Sequence, residues 1–308
     1  MIKIIHIICF LTISLASLAQ CEPSYGFKTK QIQLDSTKLN YIDEGKGAVL
    51  LLIHGLGGNA SHWKRNIQEL SKYNRCIAID LPGYGKSSVI NRLNAAEQLD
   101  FYADQIATFL NKLKIKKATI AGHSMGAQIA MIFSLKYALI VSNLILLAPA
   151  GFETFSATEA GLLKNYATPT FYEKQDSAAI EKSYRMNFFN MPDEAQSLVK
   201  ERIALKQCEV FSSFCAQIPL GVQGMLAHPV KDQLKELGMP KLIIFGASDA
   251  LIPNKLLHPA LTVEMVAAIA KAIPYQQTTI IPQAGHLVQF EKPTIVNQTV
   301  LQFLHQIK

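Results

Sequence analysis

Charge is scarce in this chain of 308 residues: Asp, Glu, Lys and Arg make up 17% of it, while 49% is apolar and tryptophan occurs once, at Trp63. So little charge beside so much apolar surface excludes a disordered polymer and points to a large buried core. Beyond the N-terminal segment, no apolar run reaches the ~20 residues needed to cross a bilayer, so the body of the chain is expected outside the membrane. No group of histidines, cysteines and carboxylates has ligand spacing, which argues against a metal site. Internal repeats and low-complexity tracts are also lacking. The net charge of +7 is spread along the chain and gives no nucleic-acid footprint. Its one local cluster, Lys112, Lys114, Lys116 and Lys117, reads as a solvated turn, with attraction to an anionic lipid surface as the weaker alternative.

What is present begins with a secretory signal at Met1–Ala19: Lys3, an apolar stretch from Ile4 to Leu15, and small residues before Gln20. A periplasmic or secreted protein is expected. An uncleaved anchor, or lipidation at Cys21 after Leu18-Ala19-Gln20, is the alternative. Export permits disulfides. Cys208 and Cys215 are close enough in sequence to close a short loop, and Cys76 reads as buried in a strand.

The residues from 31 to 41 alternate as a hairpin does, and 48–53 is a continuous apolar run. Strand patterns at 76–80, 118–122 and 143–147 then alternate with helical ones at 61–72, 95–113 and 125–137. Such alternation specifies a parallel sheet flanked by helices, an α/β fold. It stops for residues 152–238, which read as an inserted helical cap. It resumes with strands at 241–245 and 278–282 and helices near 261–272 and 294–307. The division is therefore signal 1–19, core 20–151 and 239–308, and cap 152–238.

At the end of the strand before 125–137 stands Gly122-His123-Ser124-Met125-Gly126. Glycines on either side of a serine, between strand and helix, form a nucleophile elbow and nominate Ser124 as a catalytic alcohol. An alcohol attacks an acyl carbon only when a base takes its proton, and the base needs a third group to fix its tautomer. His286 follows the last strand and Asp249 the one before it, so both emerge at the carboxyl edge of the sheet. Glu153 is a weaker candidate to orient the histidine, and His258 lies on the wrong side of the final strand to act as base. The oxyanion that forms needs fixed donors: the backbone N–H of Met125 and that of Leu56, in the loop His54-Gly55-Leu56-Gly57-Gly58. Trp63, on the following helix, reads as packing.

That loop has a rival reading. Gly55-Leu56-Gly57-Gly58-Asn59-Ala60 fits a dinucleotide fingerprint, with Asp80 where a ribose-binding acid belongs. It leaves Ser124, Asp249 and His286 without a role. The segment Asp80-Leu81-Pro82-Gly83-Tyr84-Gly85-Lys86-Ser87 reads instead as a structural turn in which Asp80 bonds to neighbouring backbone. A non-catalytic binding protein on the same scaffold is the other alternative.

From about Lys30 onward, the chain resembles the alpha/beta hydrolase superfamily. The His54-Gly55 loop, the 80–87 loop, the 122–126 elbow, Asp249 and His286 follow that family's order. Within it, the chain is most similar to lipases and monoacylglycerol-lipase-like serine esterases, and next to carbon-carbon bond hydrolases, which commonly carry asparagine where this chain has His123. Ala127 departs from the second glycine often found after the elbow. The resemblance implies a serine esterase with no cofactor, acting on an acyl ester or lipid substrate. Large apolar residues of the cap, among them Phe155, Leu163, Tyr172 and Phe188, point to a medium or long acyl chain.

Overall fold

The computed structural model describes Cys21 and residues 23–90, 94–270 and 274–307. The expected signal segment, Met1–Ala19, lies outside the described residues.

Strands β1 (Thr29–Gln33) and β2 (Lys38–Glu44) form an antiparallel hairpin in which Gln31 faces Asn40. Six further strands follow: β3 (Val49–Ile53), β4 (Arg75–Ile79), β5 (Ala118–His123), β6 (Val141–Leu147), β7 (Lys241–Gly246) and β8 (Gln276–Ile281). The sheet order is β1-β2-β4-β3-β5-β6-β7-β8, antiparallel from β1 to β4 and parallel from there on. Side chains of β3 alternate between the faces, as the two-residue period of a strand requires. Leu51 and Ile53 enter one core, Leu50 and Leu52 the other. A strand apolar on both faces belongs in the middle of such a sheet, which explains the continuous run that the sequence shows there.

One face is covered by α2 (Gln98–Lys112) and α3 (Met125–Lys136), the other by α1 (Lys64–Leu70) and the closing helix, Pro293–Gln306. Helix α2 buries Leu99, Tyr102, Ala103, Ile106, Phe109 and Leu110, the stripe of an amphipathic helix. Helix α3 buries every residue from Met125 to Ser134, as expected of a helix apolar all round. Trp63 packs in the core beside α1, at the end of a short 3-10 turn, Ala60–Trp63.

Between β6 and β7 the chain makes five α-helices: α4 (Ala157–Tyr166), α5 (Pro169–Glu173), α6 (Ser177–Arg185), α7 (Gln196–Leu205) and α8 (Phe211–Ala227). Ser156 starts α4 with a capping box to Glu159. After β7 come α9 (Val263–Ala270), α10 (Val288–Glu291) and α11 (Pro293–Gln306).

The cysteine pairing differs from the sequence expectation. Cys208 is joined to Cys21, with Cα atoms 5.6 Å apart, and not to Cys215. Closeness along the chain misled: Cys215 lies inside α8 with its side chain in the core, while Cys208 sits in the turn between α7 and α8. The bridge ties that turn to the leg that precedes β1. It also engages the sulfur that lipidation at Cys21 would need. Cys76 is a buried free thiol, pushed up to about 12 by burial.

Candidate active site

The parallel register brings the ends of four strands to one edge. Ile53 pairs with Gly122, Gly122 with Leu146, and Gly246 with Ile281, so the loops after β3, β5, β7 and β8 leave side by side. Ligand sites of open α/β sheets form at this edge.

Ser124 sits between β5 and α3 at φ 55°, ψ −119°, a conformation that costs energy in any residue with a Cβ. The turn is tight enough that only glycine fits around it. A Cβ on Gly122 would lie 2.3 Å from the Gly126 carbonyl oxygen, and one on Gly126 would lie 2.4 Å from that of His54. The Ser124 N–H donates to Leu147 O at 2.9 Å, which anchors the elbow to β6. Met125 is the first residue of α3, so its N–H has no acceptor within the helix.

His286 Nδ1 donates to Asp249 Oδ2 at 2.8 Å, and both residues are buried. The other carboxylate oxygen accepts N–H groups from Leu251 at 2.8 Å and Ile252 at 2.9 Å. With Nδ1 carrying the proton, Nε2 of His286 holds the lone pair that a general base needs. Ser124, His286, Leu56 and Gly55 line one cavity of about 540 Å³. Of the residues expected from sequence, Ser124, His286 and Leu56 border this cavity, Asp249 is reached through its bond to His286, and Met125 follows Ser124 in the chain.

Glu153 does not orient His286. Both its oxygens accept the Asn254 N–H at 3.0 Å, and it pairs with His258. Asp80 is fully committed as well: its oxygens accept from Tyr25 Oη at 2.7 Å, Asn40 Nδ2 at 2.8 Å, Ala60 N at 2.8 Å and Lys86 N at 2.9 Å. Burial raises its pKa. It fastens the end of β4 to the turn after the 54–58 loop, and its oxygens are spent on those four donors; this removes the support for a dinucleotide reading.

Three residues outside the sequence-predicted set support the site, His123 and Glu291 buried and Arg202 half-buried. His123 Nε2 donates to the His286 carbonyl at 2.9 Å, fixing the backbone that carries the base. Desolvation holds its pKa well below 6.5, so it stays neutral. Glu291 accepts the Gly285 N–H at 2.7 Å and those of Phe189 and Asn190 in the cap at 3.1 and 2.7 Å. Arg202 of α7 donates to the Gly57 carbonyl and lies over the Phe214 ring, 4.1 Å from its centroid. His123 is visible in sequence only as a departure from an asparagine. Glu291 and Arg202 carry no local signal, because the contacts by which they join cap to core, Glu291 with residues 189–190 and Arg202 with Gly57, span more than 100 residues.

The cavity roof comes from the excursion between β6 and β7. Phe155, Leu163, Tyr172, Tyr184, Ile218 and Met225 line it together with the edge loops. Phe152 is instead buried in the core against Phe245, and Phe189 is exposed.

The sequence pattern of the alpha/beta hydrolase fold family matches residues 48–293, and the chain belongs to that family. It is 27% identical over 262 residues to the dihydrolipoyllysine-residue acetyltransferase component of the acetoin cleaving system of Pseudomonas putida; the match takes in 84% of this chain but 64% of that protein. It is 28% identical over 278 residues to the (E)-2-((N-methylformamido)methylene)succinate hydrolase of Acinetobacter baylyi, covering 90% of this chain and 98% of the relative. Among solved structures, a thermophilic esterase from Thermogutta terrifontis superimposes with a TM-score of 0.72 at 25% identity, covering 91% of this chain and 98% of that one. The further relatives include both esterases and carbon-carbon bond hydrolases.

Proposed function

We propose that this protein is a serine hydrolase that cleaves carboxylic esters of medium or long acyl chains through an acyl-enzyme. Ser124 Oγ attacks the ester carbonyl carbon as its proton passes to His286 Nε2. Asp249 holds the imidazole and stabilises its charge, and the N–H groups of Leu56 and Met125 receive the oxyanion. Collapse expels the alcohol with the proton from His286; water, deprotonated by the same base, then releases the acid and frees Ser124.

The observation that carries this reading is the His286–Asp249 bond on the wall of the cavity into which a strained Ser124 opens. The apolar roof supports a long acyl group. Two features support export: the N-terminal segment and the Cys21–Cys208 bridge, which suits an oxidising compartment. Exposed Tyr166 and Phe189 on the cap would favour brief contact with a lipid surface.

A fluorophosphonate should label Ser124 in the folded protein, and Ser124→Ala should abolish both the label and turnover, a loss on the order of 10⁴-fold or more. Labelling elsewhere, or none, defeats the reading. A p-nitrophenyl ester series from acetate to palmitate then ranks chain length. Carbon-carbon bond cleavage uses the same three residues, and a vinylogous 1,5-diketone run beside the esters separates it.

A further inference from the structure

The loop that follows β3 is a chain of hydrogen bonds that ends on a cap residue. Gly57, at φ 68°, lets residues 55–58 fold into a turn whose Gly58 N–H donates to the Gly55 carbonyl at 3.0 Å. The same carbonyl accepts from His54 Nδ1 at 2.8 Å. The Leu81 N–H donates to His54 Nε2 at 3.0 Å, so the ring proton must sit on Nδ1. His54 is fully buried and desolvation drops its pKa to about 4, consistent with a neutral ring. On the other side of the turn, the Gly57 carbonyl accepts from the Arg202 guanidinium. That guanidinium is clasped between Phe214 of α8, 4.1 Å away, and Tyr184 of α6, 5.8 Å away.

Written in order, a fixed cation polarises the 57–58 peptide, whose N–H polarises the 55–56 peptide. The N–H of that second peptide belongs to Leu56. Hydrogen bonds in series strengthen one another, by about 10–30% per bond in a medium shielded from water. An N–H whose own carbonyl accepts two bonds is a stronger donor and is held in one plane.

We propose that Arg202 is a positioning residue for oxyanion stabilisation: from the cap, through the Gly57–Gly58 and Gly55–Leu56 peptides, it orients and polarises the Leu56 N–H. This rests on the reading of Leu56 as an oxyanion donor. Docking of α7 and competence of the 54–58 loop are then one event, and catalysis is sensitive to the cap without any cap residue touching the reacting atoms. The nearest rival makes Arg202 a plain substrate contact, since it also lines the catalytic cavity. The two differ in what they change: a contact made equally in ground and transition states alters KM, whereas one that serves the oxyanion alters kcat.

The test compares Arg202→Met and Arg202→Lys with the unaltered protein. For Arg202→Met, kcat on a p-nitrophenyl ester should fall on the order of tenfold with KM little changed. Affinity for a trifluoromethyl ketone, which forms a charged hemiketal at Ser124, should fall by the same factor, while that for the matching secondary alcohol holds. Arg202→Lys, which can still donate to the Gly57 carbonyl, should recover part of both losses. The Leu56 amide proton should move upfield in Arg202→Met, a readout that needs no turnover. A raised KM at unchanged kcat, equal losses for ketone and alcohol, or an unmoved Leu56 amide would each overturn the proposal. Absence of fluorophosphonate labelling in the unaltered protein would instead defeat the hydrolase reading, leaving the amide shift to decide whether the relay exists.

Discussion

Around Ser124 the backbone itself sets the geometry, while the roof above it is fastened by side chains. At the elbow, Gly122 and Gly126 lie so close to neighbouring carbonyls that a single added carbon has nowhere to go. The cap reaches the core through separate tethers: Arg202 to Gly57, Lys64 to Ser197 at 2.6 Å, Gln128 to Met225 O at 3.0 Å, Glu291 to the 189–190 backbone, and the Cys21–Cys208 bridge. No residue of α4 or α5 is fully buried, whereas α3 is buried over ten consecutive positions. A region built from close-packed backbone tolerates almost no change, and one hung on exchangeable side chains tolerates much. Reaction chemistry would then reside in the first region and substrate choice in the second.

The sharpest way to break that contrast is at Gly126. In Gly126→Ala the new methyl would lie 2.4 Å from His54 O and 2.5 Å from Ile53 O, both backbone atoms that cannot swing aside. We expect a loss of about 4 kcal/mol or failure to fold, read by urea unfolding. A stable, active Gly126→Ala protein would show that the elbow is more pliant than its contacts imply.

The second effect belongs to the cap. The Cys21–Cys208 bridge closes a loop of 187 residues, and opening it restores chain entropy to the unfolded state. The double variant Cys21→Ser, Cys208→Ser should lose about 2–4 kcal/mol, seen as a lower Tm, while fluorophosphonate still labels Ser124 at the original rate. A thiol count on the unreduced, denatured protein should find Cys76 and Cys215 free and the other pair blocked. If labelling collapses together with stability, the core and cap are not separable in the way proposed.

What the sequence discloses divides along the same line. The strands announce themselves because a buried parallel strand must be apolar on both faces, as Leu50-Leu51-Leu52-Ile53 is. Ser124 and Asp249 can be picked out because each follows such a strand, and His286 because it follows the last, more polar edge strand; a parallel sheet delivers successive strand ends to one edge. The cysteine partner of Cys208, the acceptor of Arg202 and the two cap donors to Glu291 are not legible. Each is a contact between distant segments of a surface whose packing no local periodicity records, and proximity along the chain chose the wrong partner for Cys208.

The smallest expected effect concerns a tether that responds to pH. His258, in the loop after Asp249, pairs through Nδ1 with Glu153 at the entrance to the cap and through Nε2 with Glu159 of α4, 3.2 Å away. Its ring is stacked on Phe155 with centroids 5.3 Å apart. Only the imidazolium can donate from both nitrogens, and the hydrogen bond to Glu153 is the chief cause raising its pKa above 6.5. A group whose pKa is higher in the folded state stabilises fully below its unfolded value. That contribution disappears as pH rises through the folded value, because the neutral ring must release one carboxylate. The folded protein should therefore lose Tm between mildly acidic and mildly alkaline pH. The His258-dependent part should be no more than about 2 °C, because the side chain is 22% exposed and solvent screens the pair. His258→Gln, which keeps a hydrogen-bonding side chain without the titration, should flatten that slope, and high salt should do the same in the unaltered protein. An identical slope in variant and parent would mean that this contact holds nothing, and that the cap rests on its other tethers.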